Sequence, residues 1–364
     1  MFMILERNIL RLSSRFLRFY STHLEAADKV NSPKVSYYDD DDDDKIIDQS
    51  WDATRIRSEN TKSLRIAILG LPNAGKSTLI NQLIGRPVCA ASSKVQTTRK
   101  NCNAIYVEDD TQLIFVDTPG LVTSCELKKY KLDDTFKTDV DKALKNTDII
   151  GVLQDVSHKR ATLINYRVLD VLKRIGEDIP VLLILNKIDK VKKKQELLKI
   201  VDTLTSEKGW SNFADIFMVS ALKADGTDDL RKYLLESAKS RDWEYNHDTV
   251  SDESSETIIE QTVRAKFMDF MEQELPYLIK VETEHLGVLP DGSMQTVVAV
   301  ASPNDRASKI VMGKGGGRVK TVAILAEQEL CKIFNTSVKL KIAVKFLKDK
   351  NEEDKKINYK INKR

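Results

Sequence analysis

Many apolar residues of this chain fall into short runs, of which the first is mostly apolar, and four of these runs end in a polar or glycine-containing motif. The runs cover residues 64–69, 113–116, 181–185 and 216–219. Short continuous apolar runs are typical of strands that are buried on both faces of a parallel sheet. Residues 79–84 follow the first motif with helical periodicity. The pattern therefore predicts an α/β domain with a mostly parallel sheet.

A different pattern follows towards the C-terminus. It predicts a helix over residues 257–274, strands near 277–284 and 295–301, a helix that reaches residue 334, and a strand over 337–346. This order is α+β. A chain of 364 residues is long enough for two separate cores. We therefore expect a first domain over 63–245, a hinge rich in Ser, Asp and Glu over 246–256, and a second domain over 257–348.

The first strand run leads into a glycine-containing loop of the form GxxxxGK[ST]. It spans residues 70–78, and its candidate binding residues are Asn73, Ala74, Gly75, Lys76, Ser77 and Thr78. Successive backbone N–H groups in such a loop, next to a helix N-terminus, form a concave site for phosphate. Lys76 is expected to reach the outer phosphates and Ser77 a magnesium ion. The pattern alone also occurs by chance, so its value depends on the other motifs.

The other three runs end in motifs that complete a guanine nucleotide site. Asp117 and Gly120 follow the second run and are expected at the magnesium ion and the terminal phosphate. Asn186, Lys187 and Asp189 follow the third run, and an Asp there accepts two hydrogen bonds from guanine where adenine offers no matching donors. The fourth run leads to a loop that could support the base through a main-chain amide: Ser220, Ala221 and Leu222. Open α/β sheets bind ligands at these strand ends.

These motifs resemble those of the translation-factor-related GTPases, and two further stretches resemble the Era family within them. Residues 96–99 (Gln-Thr-Thr-Arg) resemble the switch I motif of that family, and residues 273–277 with 281–282 resemble the entry to its second domain. The resemblance covers residues 63–348. It implies GTP and GDP as ligands with Mg²⁺, and a hydroxyl from Thr97 or Thr98 on that ion. The predicted catalytic residues are Lys76, Ser77, Thr98 and Gly120.

Two residues bear on the rate of hydrolysis. Leu121 follows Gly120, where Ras-type GTPases have a glutamine that orients the attacking water. A leucine cannot orient water, so we expect slow, mainly electrostatic hydrolysis. Asn73 resembles an asparagine that helps to hold K⁺ in relatives of the family, which gives a potassium hypothesis.

A second candidate site lies in the C-terminal part, where residues 313–316 have the form GxxG. The surrounding element order fits a type II KH fold, in which this loop presses bare backbone against single-stranded nucleic acid. The candidate RNA-binding residues are Lys309, Gly313, Lys314, Gly315, Gly316, Arg318 and Lys320. A flexible turn is the alternative explanation of such a loop.

Charge adds to this interpretation through its distribution. The whole chain carries a net charge of +3, yet residues 306–350 contain eleven Lys or Arg and three Asp or Glu. A basic surface around a GxxG loop is expected of a protein that binds a phosphate backbone. The resemblance further implies binding near the 3′ end of small-subunit ribosomal RNA and assistance in small-subunit assembly by a monomer. Residues 302–305 differ from many bacterial members, which leaves the preferred RNA sequence open.

The N-terminus predicts a location. Residues 1–20 contain four arginines between apolar residues, which is typical of a basic amphipathic helix. We expect a mitochondrial transit peptide, cleavage after Tyr20 and a matrix location; a retained helix is the alternative. No transmembrane span is expected, and peripheral association with the inner membrane stays open. Residues 21–62 are expected to form a disordered acidic linker, and 349–364 a basic tail.

Two other functions stay open at this point. A GTPase coupled to tRNA modification shares the asparagine-containing phosphate loop, although no modification domain is visible. A non-catalytic RNA-binding module with a purely structural nucleotide site is the other alternative. The four cysteines show neither metal spacing nor a disulfide-rich pattern, which agrees with a reducing compartment.

Overall fold

The computed structural model describes the chain in eight parts: residues 60–90, 102–118, 144, 146–158, 161–175, 178–206, 209–271 and 275–346. Several predictions concern residues outside these parts. They are the transit peptide, most of the acidic linker, the switch I residues Thr97 and Thr98, the Gly120 and Leu121 pair, and the basic tail.

The first sheet is formed by the predicted apolar runs and three further strands. Its strands are β1 (Lys62–Gly70), β2 (Cys102–Glu108), β3 (Thr111–Asp117), β4 (Ile149–Asp155), β5 (Val181–Asn186), β6 (Phe213–Val219) and β7 (Lys239–Ser240). Six of them run in the order β2-β3-β1-β4-β5-β6, and β7 pairs with the start of β1. β2 is antiparallel to β3, while the β3-β1-β4-β5-β6 pairings are parallel. The expected mostly parallel α/β sheet is confirmed.

Helices cover both faces of this sheet. They are α1 (Lys76–Ile84), α2 (Tyr166–Ile175), α3 (Lys194–Leu204) and α4 (Thr227–Glu236). Residues of α1 and α4 pack with one face in one apolar core, and residues of α2 and α3 pack with the other face in a second core. Because both faces are covered, β1 and β3 to β5 consist largely of buried apolar residues.

The second sheet follows the first in the chain. Its elements are α5 (Ser255–Phe270), α6 (Leu275–Leu278), β8 (Lys280–Val288), β9 (Met294–Ser302), α7 (Asp305–Met312), α8 (Gly317–Phe334) and β10 (Val338–Phe346). The strand order is β10-β9-β8, with β9 parallel to β10 and antiparallel to β8. This order of helices and strands is the one expected for a type II KH fold.

The predicted boundaries in this part are partly wrong. The helix expected over 257–274 ends at Phe270, because Met271 has extended backbone angles. A strand was expected from residue 277, but Tyr277 lies in the short helix α6 and β8 begins at Lys280. Pro276 explains the difference, because proline suits the first turn of a helix and cannot donate a hydrogen bond to a strand ladder.

The second sheet has an apolar core of its own. Buried residues of α5, α8 and β9, among them Phe267, Leu330 and Val298, share one cluster. None of the three clusters of described residues combines residues from both sheets. The two sheets therefore have separate apolar cores.

Residues 241–253, which we call the connector, link the two sheets and lie against the first one. The Trp243 indole donates to the carbonyl oxygens of Lys62 (3.1 Å) and Asp110 (3.0 Å). The buried Gln112 side chain accepts from the N–H groups of Glu244 and Tyr245 and donates to the Tyr245 carbonyl. Further along, Ile105 N–H donates to Val250 O over 3.0 Å, beside β2.

A membrane span was not expected. Among the residues that the structure describes, no helix combines the length and apolar composition needed to cross a bilayer.

Candidate nucleotide and RNA sites

The phosphate loop has the strained backbone that its motif requires. Asn73 has φ 60° and Gly75 has φ 97°, both in the left-handed region. A Cβ at Gly75 would lie 2.5 Å from Nδ2 of Asn186. Only glycine therefore fits between the loop and the end of β5. Gly75 is followed directly by α1, so the N–H groups of the first turn face the loop.

The side chain of Lys76 spans the phosphate loop. Its buried side chain donates from Nζ to the carbonyl oxygens of Gly70 (3.4 Å) and Leu71 (3.2 Å). Burial lowers the pKa of Lys76 to about 8, although the nearby Asp117 carboxylate raises it in part. A phosphate group in the loop would add a second negative neighbour for this ammonium group.

Ser77 and Asp117 meet at the point where a magnesium ion is predicted. Ser77 Oγ donates to Asp117 Oδ2 over 2.6 Å, and the Asp117 carboxylate is buried at the end of β3. Thr118 next to it donates to the Ile68 carbonyl over 2.6 Å, which holds the strand end in place. A hydroxyl and a carboxylate are hard oxygen donors, so these residues fit Mg²⁺.

Asn186 joins three of the predicted loops. Its Nδ2 donates to Ala74 O over 2.8 Å, and its Oδ1 accepts from the N–H groups of Lys187 (2.8 Å) and Ala221 (3.0 Å). One buried amide therefore fixes the phosphate loop, the loop after β5 and the loop after β6 relative to each other.

Asp189 is positioned by the loop after β6. Its Oδ1 accepts from Ser220 Oγ over 2.7 Å, and no donor of the described residues bonds its Oδ2. Ser220 and Ala221 are buried, whereas Leu222 is 78% exposed. The structure thus brings Asp189 and Ser220 together as a pair and leaves Leu222 at the surface.

Sequence reasoning missed one part of this site, which lies at the end of β4. Lys187 Nζ donates to Asn73 O and to Asp155 Oδ2, each over 2.6 Å. Asp155 Oδ1 in turn accepts from Ser157 N (2.9 Å) and Oγ (2.6 Å). Burial raises the pKa of Asp155, but the hydrogen bonds from Lys187 and Ser157 outweigh it and keep that pKa below its ordinary value. The sequence contains a signal that could have identified Asp155, because the apolar run of β4 also ends in a carboxylate.

The glycine loop of the second sheet lies between α7 and α8. Asn304 caps α7, with Oδ1 accepting from Ala307 N over 2.8 Å. Gly313, Gly315 and Gly316 all have positive φ, of 72°, 57° and 76°. A Cβ at Gly313 would lie 2.9 Å from Cβ of Arg318, whereas one at Gly316 would meet nothing within 4 Å. A Cβ at Gly315 would likewise meet nothing within 4 Å, so Gly315 and Gly316 are the positions where the bare backbone is open to a partner.

The structure brings the predicted basic residues together around this loop but gives them different surroundings. Lys314 and Lys320 are exposed. Lys309 forms an ion pair with Asp305 over 2.7 Å, and this hydrogen bond raises the pKa of Lys309. Arg318 is half-buried and donates from its guanidinium to the Ile310 carbonyl, so it ties α8 to α7. Ile310 and Met312 add exposed apolar surface beside the loop.

Comparison with known proteins agrees with this geometry. A family model described as "50S ribosome-binding GTPase" matches residues 65–187. "GTPase Era, mitochondrial" of Danio rerio is 34% identical over 343 residues, covering 80% of this chain and 76% of its own length. "GTPase Era" of Sinorhizobium medicae is 34% identical over 285 residues, covering 78% of this chain and 88% of its own.

The chain belongs to the Era GTPase family.

Solved Era structures are similar to this family member over nearly their whole length. The crystal structure of Era in complex with MgGDPNP and a segment of 16S ribosomal RNA has a TM-score of 0.67 and 25% identity, covering 82% of this chain and 98% of that one. A variant of Aquifex aeolicus Era bound to GDP and AlF₄⁻ has a TM-score of 0.69 and 27% identity, covering 79% and 95%. The similarity to Era therefore extends over both sheets.

Proposed function

We propose that this Era family member binds and slowly hydrolyses GTP and binds small-subunit ribosomal RNA near its 3′ end, in order to assist assembly of the small ribosomal subunit. The observation that carries the proposal is the presence of two built sites in one chain. The first is the guanine loop that Asn186 joins to the phosphate loop, and the second is the open glycine loop at Gly316.

In the nucleotide half, each described residue has a distinct task. Lys76 and the loop amides hold the phosphates, and Ser77 and Asp117 hold Mg²⁺. Asp189 accepts from the guanine edge, with the loop of Ser220, Ala221 and Leu222 behind the base. Thr97 or Thr98 and Gly120, which lie outside the described residues, supply the switch contacts. Mg²⁺ when bound neutralises charge that develops on the phosphates.

Hydrolysis is slow in this proposal because Leu121 follows Gly120. Lys76 and the loop amides promote hydrolysis by stabilising the negative charge that develops on the phosphates. The residue at position 121 does not orient the attacking water. Potassium at Asn73 is part of the proposal and raises turnover by adding positive charge at the phosphates. Equal GTP turnover in potassium and sodium chloride would remove this part.

In the RNA half, Gly313, Gly315 and Gly316 present backbone to the sugar-phosphate chain. Lys309, Lys314 and Lys320 supply positive charge, while Arg318 holds the two helices of the loop together. The exposed side chains of Ile310 and Met312 offer apolar surface to bases. The Era complex with MgGDPNP and 16S ribosomal RNA supports both halves of this assignment.

The proposal also covers the domain organisation of the chain and its location in the cell. We assign residues 63–245 to the GTPase domain and 257–348 to the KH domain of a monomer. The relatives named as mitochondrial Era support a mitochondrial location, with residues 1–20 as the transit peptide to the matrix. Association with the inner membrane would be peripheral.

The two halves are coupled in this proposal. GTP with Mg²⁺ changes how the GTPase domain holds the KH domain and thereby changes the affinity for RNA. Linkage requires RNA to change the affinity for GTP by the same factor.

The proposal is tested with purified full-length protein, GTP and ATP, and two RNA probes. We expect GTP turnover, and an Asp189→Ala variant that loses GTP affinity by roughly 100-fold, which corresponds to about 2.7 kcal/mol. A 3′ segment of small-subunit ribosomal RNA should bind more tightly than tRNA. Absence of turnover would favour the non-catalytic module, and preference for tRNA would favour the tRNA-modification GTPase.

A further inference from the structure

Along the chain, the connector lies between the residues of the nucleotide site and those of the RNA site. We propose that the connector transmits the state of the nucleotide site to the KH domain, with Asn103 and Asp252 as a latch and Glu253 as the contact with α5. This inference rests on the proposed coupling of GTP and RNA and identifies the residues that carry it.

The first step joins the magnesium residues to β2. Ser77 Oγ bonds the Asp117 carboxylate over 2.6 Å at the end of β3. In the antiparallel pairing of β3 with β2, Asp117 lies directly opposite Cys102. A displacement of Asp117 is therefore transmitted to Cys102, the first residue of β2, through the pairing of β3 with β2.

The second step joins the start of β2 to the connector. The Asp252 carboxylate accepts from Asn103 N–H through Oδ1 (2.9 Å) and from Asn103 Nδ2 through Oδ2 (2.7 Å). Asp252 N–H donates back to Asn103 O over 3.2 Å. Cys102 Sγ lies 3.5 Å from Ser251 Oγ. Three bonds between one pair of residues fix both their distance and their orientation.

The third step joins the connector to the KH domain. Gln261 of α5 donates to Glu253 Oε1 over 2.7 Å, and Ser254 caps the same helix by accepting from Thr257 N. The Glu253 carboxyl group also forms a hydrogen bond with the Cys102 thiol, at the start of β2. Its side chain therefore contacts β2 on one side and α5 on the other, which links the second step to the KH domain directly.

The last step joins α5 to the glycine loop. Lys266 of α5 forms an ion pair with Glu329 of α8, and Glu260 of α5 accepts from Thr283 N of β8 over 2.7 Å. The two helices also share the apolar core of the second sheet. Since α8 begins directly after Gly316, a rotation of α5 moves the glycine loop with it.

The test measures the ratio of two RNA dissociation constants, one with GDP and one with a non-hydrolysable GTP analogue and Mg²⁺, for the full-length protein. We expect a ratio that differs from one by at least about 5-fold in the wild type. Asp252→Ala should bring the ratio to within about 2-fold of one, with nucleotide affinity unchanged. Asp248→Ala is the matched control, because Asp248 lies in the connector, is exposed and bonds only His247 among the described residues.

Two further variants separate a specific role from a loss of folding. The combination of Asn103→Asp with Asp252→Asn exchanges donor and acceptor and should restore the wild-type ratio. Glu253→Gln keeps the shape of the side chain and should also reduce the ratio. This second variant tests the connector independently if Asp252→Ala lowers the melting temperature.

The outcomes distinguish the inference from the proposed function. A wild-type ratio of one would refute the coupling itself and the inference with it. A wild-type ratio above 5-fold that survives in Asp252→Ala and Glu253→Gln would leave the proposed function standing and overturn the role of the connector.

Discussion

At the scale of single residues, the nucleotide site depends on contacts between loops that lie far apart in the sequence. Lys187 shows this most clearly, because its ammonium group is held by Asn73 O on one side and the Asp155 carboxylate on the other. The orientation of the guanine loop therefore depends on a carboxylate that belongs to a different strand.

Replacing Asp155 tests this dependence. With Asp155→Asn we expect about 10-fold weaker binding of both GDP and GTP, which corresponds to about 1.4 kcal/mol, because Lys187 loses its charged partner. The turnover number at saturating GTP should change little. Titration with a fluorescent guanine nucleotide measures this. Asp170→Asn, an exposed carboxylate on α2, is the control, and equal affinities in all three proteins would contradict the assignment.

The pH dependence of stability follows from two carboxylates at the two ends of β4, Asp148 and Asp155. Burial raises the pKa of Asp148, but hydrogen bonds from Lys239, Arg65 N–H and Arg241 outweigh it, so its pKa is lowered, as is that of Asp155. A lowered pKa in the folded state stabilises the fold above the unfolded pKa. This contribution is lost as the pH falls below about 4.

Urea unfolding at pH 7, 5, 4 and 3 would show this loss. The wild-type midpoint should fall more steeply below pH 4 than that of an Asp148→Asn, Asp155→Asn double variant. Parallel curves would mean that these carboxylates do not differ between the folded and unfolded states.

At the scale of elements, the glycine loop can be separated from ordinary turns by a matched pair of substitutions. Gly316 and Gly292 have nearly the same φ, 76° and 75°, and a Cβ at either would meet nothing within 4 Å. Ala at each position should therefore cost about 1 kcal/mol of stability through its left-handed backbone.

RNA binding should distinguish the two substitutions. Gly316→Ala should weaken RNA binding by roughly 10-fold because the new methyl group holds the phosphate backbone away, whereas Gly292→Ala in the β8–β9 turn should not. Melting curves and an RNA titration measure both effects. Equal RNA affinity in the two variants would contradict the role of the loop.

The apolar runs predict four strands of the first sheet, β1, β3, β5 and β6, because these runs and the loops after them are local signals, whereas β2, β4 and β7 are not predicted. Asp117, Asn186 and Asp189 were found in this way. The joining role of Asn186 and the partnership of Lys187 with Asp155 were not, since both depend on contacts between strands. In the second sheet, β8 begins later than expected because Pro276, just before the expected strand, suits the first turn of the short helix α6, which also includes Tyr277. The attachment of the connector to β2 could not be predicted from its Ser- and Asp-rich composition, which is equally typical of a free hinge.

At the scale of the whole molecule, positively charged residues are concentrated in the C-terminal part, which contains the proposed RNA site. Five basic residues lie in the glycine loop or beside it along the chain, so RNA binding should release counterions and weaken as salt rises: Arg306, Lys309, Lys314, Arg318 and Lys320. Replacing Lys314 and Lys320 by Gln should reduce the slope of log affinity against log salt by roughly 1.4 for single-stranded RNA.

Lys193→Gln with Lys194→Gln, at the start of α3, provides the matched control for this slope. It removes the same charge from exposed positions near the guanine loop. Filter binding at several salt concentrations measures the slopes. An equal reduction in both double variants would show that only total charge matters.

The attachment of the connector also determines where the protein can be divided. β2 lies at the border of the first sheet, and Val250 and Asp252 occupy hydrogen-bonding groups that this strand would otherwise expose. A truncated GTPase fragment that stops before these residues would present a bare strand edge, which invites self-association. Fragments intended to crystallise or to be studied alone should therefore retain the chain through residue 253.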